Sequence, residues 1–600
     1  MALQRASGVL AHPTMFPSPY GIGDLGKGAE DFIAFLTRGK QTLWQVLPLN
    51  PTGFGDSPYQ SFSTFAGNPL LVSPDKLLEE GYLTEEDLAD IPDFPADTVE
   101  YGDVIPYKNA LLRKAFARFE AESSRAAKMA FTRFCNENAD WLDGYSLFVA
   151  LKLHFIQERE NTFHSPAYKA YAARYKKRLT KSRIDEYFYG AVWHSWPADI
   201  AAREPKAVAK WGRKLAADIR FEKFCQYLFF TQWAGIRALA ARNGIRIIGD
   251  IPIFVALDSA DVWCDRDLFL LDENGDPTSI AGVPPDYFAA TGQLWGNPLY
   301  DWDAHAKTGY AWWTRRVRAI LRLTDEIRID HFRGFESYWD IPYGRKNAMR
   351  GKWVKGPGMA LFDALRAELG ELPIIAEDLG IITPAVEKLR DDLGLPGMKV
   401  LQFGFDAGTK NLNMPHNFKT NNLAVYTGTH DNDTSMGWYA GADDLVRDQF
   451  RRYMNVSGEG AAWDLIRLAF LSIANYAVTP VQDVLSLGSD ARMNAPGIAV
   501  GNWQFRCLPD ALTDDLADAL AYTAALGDRN LSLEEPAEEA AAAKTVKPAK
   551  TAKAVKAPKN PAAGASSGKK RGWPKGKKRG PRSAKQGTMP ELSSREPSAK

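Results

Sequence analysis

A chain of 600 residues with 45 % apolar residues has the composition of a globular protein, and no stretch of 18 apolar residues offers a membrane-spanning helix. Four scattered cysteines (Cys135, Cys225, Cys264, Cys507) lack CxxC or zinc spacing, and the eight histidines hold no HExxH pair, which sets aside thiolate metal sites and metal hydrolases of that type. The net charge of +1 hides an asymmetry: residues 541–600 carry 17 Lys and Arg against 2 Asp and Glu, while residues 1–540 carry 57 against 71.

Residues 7–12 (SGVLAH) read as a short first strand, followed by a loop with Pro13, Pro17 and Pro19. Residues 21–26 (GIGDLG) are a formal GxGxxG. Three prolines separate it from its strand and no acidic residue stands about 20 positions on, so it reads as a glycine-rich turn and not as a dinucleotide site. Gly28 stands where a phosphate loop needs Ser or Thr. A helix follows, with Ala29, Phe32, Ile33 and Leu36 on one face and Gly39 at its end. Residues 42–49 (TLWQVLPL) are a second buried strand. The loop beyond it, 50–61 (NPTGFGDSPYQS), gathers Asp56, Ser57, Tyr59 and Gln60 at a strand's C-terminal end, where ligand contact is expected.

Residues from about 70 to 220 read as a helical insertion containing Trp141, Trp193, Trp196 and Trp211. A long helix then carries Phe221, Phe224, Leu228, Trp233 and Ile236, closes at Asn243–Gly244 and feeds a third strand at 245–255. The loop after it is long, and loops of that size are usually functional. Asp286, Gln293 and Asn297 offer hydrogen bonds, and Tyr287 and Trp295 offer stacking faces, a mixture that suits a carbohydrate. The 17 Trp and 22 Tyr of the chain exceed what a core needs and point the same way.

Five further strand candidates follow in the stretches 326–335, 372–380, 398–403, 423–434 and 476–484, the first, second and fourth of them apolar runs that end in charge. Eight strand candidates with helical patterns between most of them predict an α/β fold, a (β/α)8 barrel with a large insertion. In the fourth strand, Arg328 and Asp330 share a face. A buried carboxylate beside a guanidinium is costly unless paired or used, so that segment alone is read equally well as a structural ion pair. Asp330, Glu377 and Asp431 each end a different strand, at the barrel face where such enzymes carry their chemistry. Taken together, the three read as a catalytic set.

The strings at 50–60 (NPTGFGDSPYQ), 249–263 (GDIPIFVALDSADVW), 328–335 (RIDHFRGF), 376–380 (AEDLG) and 429–434 (THDNDT) closely resemble the 4-α-glucanotransferases of glycoside hydrolase family 77. These are also called amylomaltases or disproportionating enzymes and belong to the α-amylase clan. The resemblance spans roughly residues 7–510. It implies that Asp330 is the nucleophile, Glu377 the general acid/base and Asp431 the transition-state stabiliser, with Arg328 supporting the nucleophile. His331 and His430 match sugar-contacting positions, and Tyr59, Asp286, Gln293, Trp295 and Asn494 match substrate-binding ones. The implied reaction moves a segment of an α-1,4-glucan or maltooligosaccharide to a new 4-hydroxyl, with retention through a covalent glycosyl–enzyme. It implies no metal and no organic cofactor. Three carboxylates do not by themselves separate transfer from hydrolysis, so an α-glucan hydrolase of the same clan is the alternative.

The expected organisation is a catalytic barrel over 1–530 with inserted subdomains at about 51–220 and 256–320, followed by a tail over 531–600. The tail is Ala-, Lys- and Pro-rich, too poor in apolar residues to fold, and expected to be disordered. Its basic clusters around 568–582 (GKKRGWPKGKKRGPR) are broken by Gly and Pro, and Trp573 could stack on a base. Residues 541–600 are therefore either a solubilising extension or a weak nucleic-acid or polyanion-binding module. The N-terminal MALQR lacks the apolar core of a signal peptide, and with the scattered cysteines and the resemblance this gives a cytoplasmic expectation.

Overall fold

The computed structural model describes residues 3–162, 168–169, 172–173, 176, 192–285, 290–406, 408–498 and 500–529. The tail expected over 531–600 lies outside the described residues, and so does Asp286. Among the described residues the chain forms twelve strands. In order they are β1 (Ala6–Leu10), β2 (Leu43–Gln45), β3 (Arg246–Pro252), β4 (Ser279–Val283), β5 (Gln293–Pro298) and β6 (Glu326–Asp330). Then come β7 (Ser337–Pro342), β8 (Lys352–Lys355), β9 (Ile374–Ala376), β10 (Gly397–Val400), β11 (Leu423–Tyr426) and β12 (Tyr476–Pro480).

Eight of these pair in parallel in the order β10, β11, β12, β1, β2, β3, β6, β9. They are the eight apolar runs of the sequence. Parallel strands covered on both faces need apolar side chains throughout, and β1, β2, β9, β11 and β12 are buried along their whole length. The two ends of the row meet where the Ala376 N–H donates to the Pro396 carbonyl at 2.9 Å. Beside that bond the Met398 N–H donates to the Asp378 carboxylate at 2.7 Å. The sheet thus closes on itself as a barrel.

The helix predicted after the first strand spans Lys27–Arg38 and buries Phe32, Ile33 and Leu36. Phe32 meets the edge of Trp44 from β2 at 5.4 Å between ring centres. The glycine-rich turn before it serves packing. Gly21 has φ +78, and a Cβ on Gly23 would stand 2.1 Å from the Pro13 carbonyl oxygen. Between β2 and β3 the helices Tyr101–Glu122, Arg125–Glu137 and Ala139–Thr162 pack against the long helix Ala216–Arg242. Phe224 of that helix sits 4.7 Å from Phe119 and 6.1 Å from Phe131. Further along it, Trp233 donates Nε1 to the Leu323 carbonyl at 2.9 Å, fixing the insertion to the barrel. No described helix is long and apolar enough to cross a membrane.

The segment read as one long loop after the third strand is more ordered than its sequence suggests. It holds β4 and β5, which join β7 and β8 in an antiparallel sheet of order β5, β4, β7, β8. Gly282 lies mid-strand in β4, where a Cβ would fall 2.2 Å from the Gln293 carbonyl oxygen. A glycine and short strands erase the alternation that marks a strand in sequence, yet this close approach is what the pairing requires. Across β7 and β8, Trp339 faces Trp353 with ring centres 5.1 Å apart.

Candidate active site

Strand register decides which side chains meet. In the β3–β6 pair Asp250 stands opposite Arg328, and in the β6–β9 pair Ile329 stands opposite Ala376. Asp330 and Glu377 each follow a paired position directly, on strands that run about 4.8 Å apart, so they leave the ladder side by side. The Glu377 N–H donates to the Ile329 carbonyl at 3.1 Å, and the Phe332 N–H donates to the Glu377 carbonyl at 3.0 Å. The backbone thus ties the two carboxyl-bearing segments directly.

Arg328 lies beneath them. It donates Nη2 to Asp330 Oδ1 at 2.8 Å and Nη1 to Asp250 Oδ2 at 2.7 Å. Tyr59 from the loop after β2 donates its hydroxyl to the same Asp250 oxygen at 2.7 Å. Burial works against the Arg328 charge, but Asp250 and Asp330 outweigh it and hold its pKa well above the ordinary value. Burial, with Asp250 and Asp431 behind it, holds Asp330 above the ordinary carboxylate value, and Arg328 pulls against that rise. The Asp330 side chain keeps 28 % of its surface open, whereas that of Asp250 has none. One carboxylate faces the opening; the other is sealed below.

Glu377 is 9 % exposed and accepts two backbone bonds, from His331 N–H to Oε2 at 2.7 Å and from Leu379 N–H to Oε1 at 2.8 Å. His331 reaches it from a left-handed backbone with φ +53, a conformation that costs a non-glycine residue energy. Burial, then the neighbouring Asp330 charge, push Glu377 up to about 8, against the pull of Arg328 and the two N–H groups. It therefore holds its proton at neutral pH beside a carboxylate that an arginine supports. Burial, reinforced by Arg333, pushes the His331 imidazole down to about 3, leaving it neutral. Its ring meets Trp295 edge-on at 4.9 Å.

Asp431 stands across the opening on the loop after β11. Asn494 donates Nδ2 to its Oδ1 at 2.6 Å, and His430 Nε2 lies 3.4 Å from the same oxygen. Asn494 is held in turn by its N–H on the His430 carbonyl at 3.0 Å. Arg492 donates to the Asp431 carbonyl at 2.6 Å and to the Asn494 carbonyl at 2.8 Å. The His430 ring stacks on Tyr59 at 5.0 Å with 14° between planes, and Trp503 tilts onto both.

The structure thus brings Tyr59, Arg328, Asp330, His331, Glu377, His430, Asp431 and Asn494 to one mouth of the barrel. Trp295 joins through His331, and Gln293 joins through a 3.1 Å bond from Trp295 Nε1 to its Oε1. Asp286 is outside the described residues. Asp250, Arg492 and Trp503 were not singled out in the sequence. A carboxylate inside the apolar run IIGDIP was a usable signal for Asp250, since a buried charge demands a partner. Trp503, with φ +67, and Arg492 carry no local signature.

A sequence profile described as 4-alpha-glucanotransferase matches residues 11–511. The chain belongs to the 4-α-glucanotransferase family. The 4-alpha-glucanotransferase of Synechocystis sp. is 47 % identical over 531 residues, 88 % of this chain and 99 % of the relative. That of Thermus thermophilus is also 47 % identical, over 522 residues, 86 % of this chain and 97 % of the relative. Among solved structures, the amylomaltase of Streptococcus agalactiae in complex with acarbose is 35 % identical with a TM-score of 0.80, covering 88 % of this chain and 99 % of that one. As a member of the 4-α-glucanotransferase family the chain is a glycosyl-transferring enzyme, and its (β/α)8 architecture is that of an amylomaltase.

Proposed function

We propose that this 4-α-glucanotransferase works by double displacement at Asp330 and Glu377, on α-1,4-glucans and maltooligosaccharides. Arg328 holds Asp330 Oδ1, and Oδ2 attacks the anomeric carbon of a bound glucosyl unit. The bond from that carbon to the leaving 4-oxygen breaks, and Glu377 gives its proton to that oxygen. A glycosyl ester on Asp330 results, and the shortened glucan departs. The 4-hydroxyl of a second glucan then enters, gives its proton to Glu377 and attacks the same carbon, which releases Asp330. Asp431, oriented by Asn494, takes the ring hydroxyls and stabilises the oxocarbenium-like states between. Tyr59, His430, His331, Trp295 and Gln293 line the bound sugar, and Asp286 is proposed to join them. The scheme calls on no metal or organic cofactor.

The observation that carries this reading is the contrast within one carboxyl pair. Glu377 retains its proton up to about pH 8, while the adjacent Asp330 is paired with Arg328 at 2.8 Å. A donor acid and a nucleophilic carboxylate are the two states that retaining transfer requires. Incubating the protein with maltotriose and separating the products tests it. A ladder of longer maltooligosaccharides with free glucose, lost in Asp330→Asn and Glu377→Gln, is expected. Maltose and glucose without longer products would make it a hydrolase.

The tail is proposed to add weak polyanion binding, on the strength of its 17 basic against 2 acidic residues over 541–600. Removing 536–600 is expected to leave glucan transfer intact and to abolish salt-sensitive binding to DNA. Binding that survives the deletion would end this reading.

A further inference from the structure

Arg333 lies three residues beyond Asp330, in the single 3-10 turn Phe332–Phe335 that follows β6. It is 4 % exposed. Its guanidinium makes contacts in three directions. Nη1 donates to the carbonyl of Ile381, which lies on the loop leaving Glu377. Nη2 donates to Ser337 Oγ at 3.2 Å and Nε to the Ser337 carbonyl at 3.5 Å, at the start of β7. Its flat face lies 3.8 Å from the centre of the Trp353 ring on β8. Ser337 Oγ donates a hydrogen bond to Glu336 Oε2 at 2.7 Å, and Glu336 is paired with Lys355. The cation is thus held by β7 and β8 on one side and reaches the acid loop on the other.

That loop is also held at Asp378, by Arg390 and the Met398 N–H, and its Leu379 and Ile382 pack on the core. Gly380 turns it with φ +81, and Ile381 is exposed. At its strand end Glu377 is fixed by its backbone bonds to Ile329 and Phe332 and by Leu379 N–H on its own carboxyl. Four residues later the loop is joined back to the nucleophile turn by Arg333. An arginine suits this task because its planar fork offers several donors at fixed angles and stacks on an aromatic face, whereas a lysine offers one point charge.

We propose that Arg333 is a positioning residue for the transfer reaction, clamping the Glu377 loop to the turn that follows Asp330 and referring both to the β7–β8 hairpin. It touches no reacting atom. Its effect is on the distance and shielding between the acid and the nucleophile, and misplacements well under the size of an atom are enough to slow such chemistry. This inference rests on the assignment of Asp330 and Glu377 as the reacting pair.

The test is a comparison of Arg333→Gln, Arg333→Lys, Asp330→Asn and Glu377→Gln in the maltotriose assay across pH. Arg333→Gln is expected to lower kcat roughly 10-fold to 100-fold with KM within about threefold. Its kcat/KM should begin to fall at a lower pH than in the parent, because a loosened loop lets water reach Glu377 and favours its ionised form. The charged groups acting on Glu377 are Asp330 and Arg328, and the substitution alters neither. Arg333→Lys, which can still donate to Ile381, is expected to fall between. Parent-like kcat and an unmoved alkaline limb in both Arg333 variants would overturn the proposal. So would a loss of kcat that merely follows loss of folded protein, the limb staying in place. Retained transfer in Asp330→Asn or Glu377→Gln would instead overturn the underlying assignment, and the two failures are distinguishable.

Discussion

Asp250 accepts a 2.7 Å hydrogen bond from Arg328 at a depth where neither side chain meaningfully reaches solvent. Arg328 in turn holds Asp330, so Asp250 sets the height and tilt of a guanidinium it shares with the proposed nucleophile. Replacing Asp250 by Asn keeps the shape and removes the charge, leaving a buried cation with one carboxylate instead of two. The expected cost is up to roughly 3 kcal/mol of stability, the lower end for breaking a buried pair. A fall of about 10-fold to 100-fold in kcat should accompany it. Thermal melts and kcat on maltotriose measure the two. A variant with unchanged kcat would show that the lower half of this pair does nothing for the reaction.

The pH behaviour follows from Glu377. Its folded value is raised, to about 8, above its ordinary 4.5. A raised carboxyl contributes stability that is fully present below the unfolded value and is lost as pH climbs through the folded one. Between about pH 4.5 and 8 the parent therefore loses stability relative to Glu377→Gln, which has no proton to lose there. Glu377→Gln should be inactive yet melt higher than the parent at pH 8, with the gap closing toward pH 4.5. The parent's kcat/KM should decline above about pH 8, as the donor proton is lost. A gap that does not change with pH would mean that Glu377 keeps an ordinary pKa.

Asn494 is the strongest orienting contact on Asp431, at 2.6 Å. Asn494→Ala frees the carboxylate to rotate and is expected to cost about 10-fold in kcat/KM with little change in melting temperature. Asn494→Asp sets a second carboxylate against Asp431 and should cost more than the alanine. If the aspartate variant outperforms the alanine, orientation by an amide donor is not what the site needs.

Tyr59 has two jobs that substitution can separate. Its hydroxyl donates to Asp250, and its ring carries His430 at 5.0 Å. Tyr59→Phe keeps the stack and leaves Asp250 still paired with Arg328, so a loss below about 10-fold is expected. Tyr59→Ala removes the platform and should raise KM for short donors as well. Equal losses in both variants would assign the whole effect to the hydroxyl.

Legibility in the sequence followed burial and periodicity. The barrel strands are continuous apolar runs ending in charge, and every one of the eight lies where those runs were read. Arg328 and Asp330, read on one face of the fourth strand, do touch. The antiparallel sheet was not legible, because β4 depends on Gly282 and β8 is a four-residue edge strand whose side chains are mostly exposed. Asp250 stands out as a lone carboxylate in an apolar strand, but its partner Arg328 emerges only when β6 is laid beside it. Arg492, Arg333 and Trp503 act through contacts that sequence spacing does not encode.

The closure of the barrel has a mechanical consequence. Seven of its joints are laddered strand pairs, while the eighth is one backbone hydrogen bond from the Ala376 N–H to the Pro396 carbonyl plus one from the Met398 N–H to the Asp378 carboxylate. A hoop built this way has a hasp, and it sits next to Glu377. Opening fluctuations should begin there, so the amides of Ala376 and Met398 should exchange with deuterium sooner than those of β1 or β12. New chain ends introduced between β9 and β10 should be tolerated by the fold better than ends placed between any other two staves.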